Sequence, residues 1–110
     1  MFENLPELFD LSSRSLPPFT VEHETNPLGA DNWQLTFPNG YTLSVLWGRP
    51  GSGAYSTEDT AELWAWGKGR DYLWDDVRAY QSFSEIMDAI DEVSSLPSSL
   101  ETSTTHALES

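Results

Sequence analysis

Glu22-His23-Glu24 is the densest group of potential metal ligands in the chain, and its spacing argues against a metal. In an extended segment successive side chains point to opposite faces, so His23 faces away from both glutamates. His106, the other histidine, stands alone near the C-terminus, and the chain has no cysteine. A zinc site needs three or four converging ligands, so none is expected. Without cysteine, thiol catalysis and disulfides are excluded as well. The glycine-rich stretch "GRPGSG" (48–53) lacks the Lys-Ser/Thr ending of a phosphate-binding loop and reads as a flexible loop, and "GKGR" (67–70) reads as a short basic turn. Asp75-Asp76 and Glu58-Asp59 could work as acid and base only in an apolar pocket, and both pairs fall at the ends of expected elements. No Ser/His/Asp order suggests a nucleophile. The expectation is a protein that is not an enzyme and uses no cofactor.

Charge is the other chemical resource. Eighteen Asp and Glu stand against five Lys and Arg, a formal net charge of -13. Phosphates would be repelled, so direct nucleic-acid binding is not expected, whereas a basic partner, or one that ordinarily holds a polyanion, fits. The acid has one ordered element in the sequence: Glu85, Asp88 and Glu92 recur at steps of three and four, which on a helix makes a stripe with neighbours about 5–6 Å apart, close to phosphate spacing. Asp91 widens the stripe, and Asp75, Asp76, Glu58, Asp59 and Glu62 extend it from adjoining segments. The alternative use of such a stripe is a solvated, solubilising face.

The elements that must position these groups follow from periodicity. "FTVEHE" (19–24) alternates as a short strand, and "TNPLGADN" is turn chemistry. "FPNGY" (37–41) lies between the alternating runs "WQLTF" and "YTLSVLW". A two-residue Asn39-Gly40 turn would set Phe37, Leu35 and Trp33 opposite Thr42, Ser44 and Leu46. A three-residue turn, Pro38 to Gly40, sets them opposite Tyr41, Leu43 and Val45, which gathers every apolar residue on one face. The latter is expected. "TAELWAW" (60–66) reads as a strand with Ala61, Leu63 and Ala65 on one face and Trp64 and Trp66 on the other, and "DYLWDD" (71–76) as its returning partner. Ser82-x-x-Glu85 is a capping box opening a helix whose apolar side is Phe83, Ile86, Met87, Ile90 and Val93. The fold class expected is α+β: an antiparallel meander of three or four strands with one C-terminal amphipathic helix on a face. Residues 1–18 form a loosely docked arm, 19–95 the single domain, and 96–110 a disordered, Ser/Thr-rich tail.

No basic leader precedes an apolar core in "MFENLPELFD", and no apolar run reaches the roughly 20 residues of a membrane helix, so a cytoplasmic protein without membrane contact is expected. A domain of this size can hardly bury its five Trp completely. One or two, Trp64 and Trp66 first, are left as interface anchors unless the arm covers them.

The block from Phe37 to Val93 resembles a class of small acidic phage- and prophage-encoded proteins. The resemblance rests on F-x-NGY-x-x-SV-x-x-G (Phe37, Asn39 to Tyr41, Ser44, Val45, Gly48), on AE-x-x-AW (Ala61, Glu62, Ala65, Trp66) and on the acidic helix. Phage proteins of this size and charge include anti-CRISPR and anti-restriction inhibitors, some of which mimic DNA. The resemblance thus implies an inhibitor of a host defence nuclease that occupies its basic nucleic-acid site in the host cytoplasm. The expected contact residues are Glu85, Asp88, Asp91, Glu92, Asp75 and Asp76, with Trp64 and Trp66 as anchors. The alternative is an immunity protein or antitoxin against a basic nuclease toxin, and genomic neighbours separate the two. Self-association into a homodimer stays open.

Overall fold

A computed structural model describes residues 2, 4–12, 14–49, 51–67 and 73–97. The expected 96–110 tail beyond residue 97, His106, and most of "GKGR" and the start of "DYLWDD" lie outside the described residues. Two helices and five strands follow in the order α1 (Leu5–Leu11), β1 (Thr20–Thr25), β2 (Asp31–Thr36), β3 (Thr42–Trp47), β4 (Thr60–Trp66), β5 (Arg78–Ser82) and α2 (Phe83–Ser94). The strands form one antiparallel sheet in sequence order, an α+β meander one strand larger than the upper expectation.

The β2–β3 turn has the three-residue form. Phe37 N–H donates to Tyr41 O at 2.9 Å, Gly40 N–H donates to Phe37 O at 2.9 Å, and Gly40 takes φ +90°, a conformation open to glycine. Trp33 therefore faces Val45, and Leu35 faces Leu43. Continued through β4, that register sets Leu43 opposite Ala65 and Val45 opposite Leu63, so one face of the sheet is apolar across its centre.

Helix α2 lies on this face. Ser82 Oγ accepts from Glu85 N–H and the Glu85 side chain accepts from Ser82 N–H, completing the capping box. Ile86, Met87, Ala89, Ile90 and Val93 are buried against Leu35, Leu43, Val45 and Leu63. The other end is capped from a distance: Asn39, at the tip of the β2–β3 turn, donates through Nδ2 to Val93 O at 2.8 Å and Leu96 O at 3.1 Å. Carbonyls at a helix C-terminus lack intrahelical partners, so this amide ties helix and hairpin together.

The N-terminal segment is part of the core and no loose arm. Phe2 and Leu5 are fully buried and Phe9 nearly so. Phe2 packs on Trp47 and Phe83, and Phe9 on Phe19 and Phe83. Pro6 does not loosen it, because it sits in the first turn of α1, where its missing N–H costs nothing. The segment fills the apolar face left uncovered by α2, so it does not lie over Trp64 and Trp66.

The return strand is displaced from its expected place. Leu73 to Asp76 are bends, and β5 starts at Arg78. Its pairing with β4 runs Thr60↔Ser82 and Ala61↔Gln81, then shifts through a bulge to Leu63↔Arg78. A bulge breaks the period of two that makes a strand readable, which hides β5 in the sequence. The loop from 48 to 59 is also packed. Gly48 lies so close to Ser52 Oγ and to Ala30 that a Cβ there would collide with both. Asn26 Nδ2 donates to Ser52 O at 3.0 Å, and Trp47 Nε1 donates to Thr57 O at 2.8 Å.

Truncating the buried arm should cost what truncating a core ring costs. Phe2→Ala and Phe9→Ala are each expected to lower unfolding free energy by about 3–5 kcal/mol in urea titrations. A loss below about 1 kcal/mol would mean that the segment is only loosely docked.

Candidate interaction surface

The helix-side carboxylates are mostly engaged within the molecule. Arg14 donates through Nη1 to Asp88 Oδ1 at 3.1 Å and through Nη2 to Asp91 Oδ2. These carboxylates keep the Arg14 guanidinium protonated to higher pH than usual, against a smaller opposing effect of desolvation. Arg78 forks onto Glu92 with contacts of 3.2 and 3.1 Å, Trp74 Nε1 donates to the same carboxylate at 3.1 Å, and the Arg78 guanidinium lies 3.6 Å over the Trp74 ring. The Arg78 hydrogen bond is the main reason that the Glu92 carboxyl titrates below the usual 4.5, with Trp74 adding to it. Glu85 is the capping-box acceptor. Each member of the expected stripe thus already has a local partner, although Asp88 stays 70% exposed. Asp75 and Asp76 are exposed, and Asp76 Oδ1 accepts from Val77 N–H.

Trp64 and Trp66 are brought together on the opposite side of the sheet. They are partly buried, and they alternate with the core residues Leu63 and Ala65. The expected anchors and the expected charge stripe are therefore back to back, so one flat partner surface cannot touch both.

What accompanies the tryptophans is set by register. Trp66 is opposite Thr42, which is opposite Thr36 and then Thr20. Trp64 continues through Ser44 and Gln34 to Glu22, and Glu62 through Leu46 and Asn32 to Glu24. No named helix packs on this face. Its centre is a hydrogen-bonded polar floor: Asn32 Nδ2 donates to Ser44 Oγ at 2.6 Å, Gln34 Nε2 donates to Asn32 Oδ1 at 2.9 Å, and the Thr36 and Thr42 hydroxyls are 3.1 Å apart. One rim carries Glu22 and Glu24, both exposed.

The rim at β4 and β5 is aromatic. Tyr55 N–H donates to Glu62 Oε1 at 3.0 Å, and Tyr80 N–H donates to Tyr55 O at 3.1 Å, so the loop, β4 and the β5 bulge meet at Glu62. Tyr55 and Tyr80 are 57% and 55% exposed. Tyr80 has φ +56°, alone in this among the described non-glycine residues. A side-chain residue in that region is uncommon and costs free energy, and such strain concentrates at functional sites. Neither the bulge nor the loop contact leaves a pattern in the residue order.

His23 faces away from Glu22 and Glu24, as alternation requires. It stacks on Trp33 at 3.9 Å with Nε2 2.9 Å from Asp31 Oδ1. Among the described residues no group of three or more His, Cys, Asp or Glu is placed to hold a metal ion. No helix among them is long and apolar enough to cross a membrane. Comparison with family models, with curated proteins and with solved structures returns no match.

Because folding lowers the Glu92 pKa, the Arg78–Glu92 pairing stabilises the fold above the usual 4.5 and is lost as pH falls through the lowered folded value. The urea midpoint of Glu92→Gln should therefore lie below that of the native chain at neutral pH. The gap should close as the pH falls below 4.5 and through the lowered folded value. A gap that persists unchanged at acid pH would show that the carboxylate charge is not what stabilises.

Proposed function

We propose that this chain is a non-enzymatic inhibitor of a basic, nucleic-acid-handling protein, of the kind that mobile elements direct against CRISPR or restriction nucleases. The observation that carries the reading is an acid excess of -13 in a fold that spends two of its five Lys and Arg on its own helix. An uncompensated field of that size repels nucleic acid and steers cationic surfaces into contact. The exposed aromatic rim supplies the kind of side chain that anchors protein interfaces. The resemblance of Phe37 to Val93 to phage proteins supports the mobile-element origin. Since the α2 carboxylates already have partners within the molecule, mimicry by a helical stripe of phosphate-like spacing is the weaker form of the idea, and the exposed Glu22 and Glu24 on the sheet side have no counter-charge among the described residues.

The test is a pull-down from the natural host, identification of the bound protein by mass spectrometry, and a competition assay with the purified pair. DNA or RNA should displace the inhibitor, and affinity should fall roughly tenfold or more between 50 and 200 mM salt. A partner that does not bind nucleic acid, or binding that salt and nucleic acid leave unchanged, overturns the reading.

A further inference from the structure

We propose that the outer edge of β1 is the docking site for an extended basic segment of the partner, which adds a further strand to the sheet and sets Lys or Arg against Glu22 and Glu24. This rests on the reading that the partner is basic, and it moves the contact from α2 to the sheet edge.

β1 is the first strand in the sheet order and pairs only with β2, and all six of its residues are exposed. The direction of its free backbone groups follows from the turn that joins the two strands. Asn26 N–H donates to Ala30 O at 2.8 Å, so 26 and 30 form a hydrogen-bonded pair. Antiparallel pairs alternate between bonded and non-bonded, so Glu24, Glu22 and Thr20 direct their N–H and C=O groups toward β2, and Val21, His23 and Thr25 direct theirs outward. The next turn gives the same phase independently. Phe37 N–H donates to Tyr41 O, which leaves Asn32, Gln34 and Thr36 facing β1. No turn or loop backbone among the described residues takes up the outward groups of Val21, His23 and Thr25.

Natural sheets blunt such an edge with proline, lysine, a bulge or a short strand. The opposite edge has a bulge, in the five-residue β5. β1 keeps unbroken register over six residues and carries only charge. That charge is selective. Glu22 and Glu24 fall at the non-bonded positions of an added antiparallel strand, where facing residues come closest, at about 4.5 Å between Cα atoms. A second copy of the chain, added by a two-fold axis, would overlap most in the registers that set Glu22 against Glu22 or against Glu24. Like charges directly opposite destabilise a pair, so the edge rejects its own copy. A cationic strand gains both contacts instead. Arg14 and Arg78 are occupied on the helix side, and Arg49 lies beside Leu28 and Asp31, so none of the three competes for the position. The fitting ligand is therefore an extended segment with Lys or Arg at two alternate positions, the residue between them bonding to the His23 backbone.

The experiment titrates the isotope-labelled full chain with acetyl-Thr-Val-Arg-Val-Arg-Val-Thr-amide, followed by NMR and amide hydrogen exchange. The amides of Val21, His23 and Thr25 should exchange fast in the free chain and slow by at least about tenfold when the peptide is bound. The same peptide with glutamate for arginine should bind at least about tenfold more weakly, as should the arginine peptide N-methylated at its central valine, which lacks the donor for His23 O. Glu22→Lys combined with Glu24→Lys should reverse the preference between the arginine and glutamate peptides. Equal affinity for those two, full binding of the N-methylated peptide, or shifts centred on Asp88 and Asp91 without edge protection overturns the proposal. Slow exchange of the three amides in the free chain also overturns it, because a second copy or the chain itself then occupies the edge. The two proposals fail separately. A nucleic-acid-handling partner held equally well by the charge-reversed chain removes the edge site and keeps the function, and a paired peptide without such a partner does the reverse.

Discussion

The three-residue turn at Pro38 to Gly40 is the constraint on which the other features depend. A strand has a side-chain period of two, so adding or removing one turn residue would carry all of β2 to the other face. With Gly40 in the left-handed region, Trp33, Leu35 and Phe37 join Leu43 and Val45 on the helix side, and Asn32, Gln34 and Thr36 join Ser44 and Thr42 on the other. The same tip carries Asn39, whose amide holds the last carbonyls of α2. One local conformation thereby sets which face is core and also where the helix covering that core ends.

Charge is then divided between the two layers. On the helix side, carboxylates are partnered: Asp88 and Asp91 bind the segment leading out of α1 through Arg14, and Glu92 binds β5 through Arg78. Exposed pairs of this kind contribute little individually, and their main effect is to fix orientation. On the sheet side, Glu22 and Glu24 have no such counter-charge among the described residues, and Glu62 accepts only from a neutral N–H in the contacts described. Two of the five Lys and Arg, Arg14 and Arg78, thus bind the chain's own elements together.

Much of the fold was legible because its signals are local. The capping box at Ser82, the apolar spacing from Phe83 to Val93 and the pairing arithmetic around Asn39-Gly40 each need only a few neighbouring residues. Three features were hidden, each for a physical reason. Phe2, Leu5 and Phe9 are buried by contacts with Phe83, Trp47 and Phe19, far away in the chain, and prolines around them mimic a loose segment. β5 is broken by its bulge. The partnering of the acid stripe depends on Arg14, a residue 74 positions from Asp88 that no periodicity connects to it. The interaction surface suffered most. Trp64 and Trp66 share one face of β4, whereas the α2 carboxylates expected to act with them lie on the other side of the sheet.

The bulge and the aromatic rim have one physical origin. Regular pairing of β5 with β4 would continue the alternation past Gln81 and leave Arg78 out of step with Leu63. The extra residue restores Arg78 to the helix side, where Trp74 and Glu92 receive it, and the backbone turns through the left-handed conformation at Tyr80 to do so. The ion pair that secures α2 to the sheet edge and the strain that holds an exposed tyrosine opposite Glu62 are thus two consequences of a single inserted residue. Relieving the strain by regularising the strand would shift Arg78 away from Glu92. Stability on one layer and an exposed ring on the other are therefore tied together.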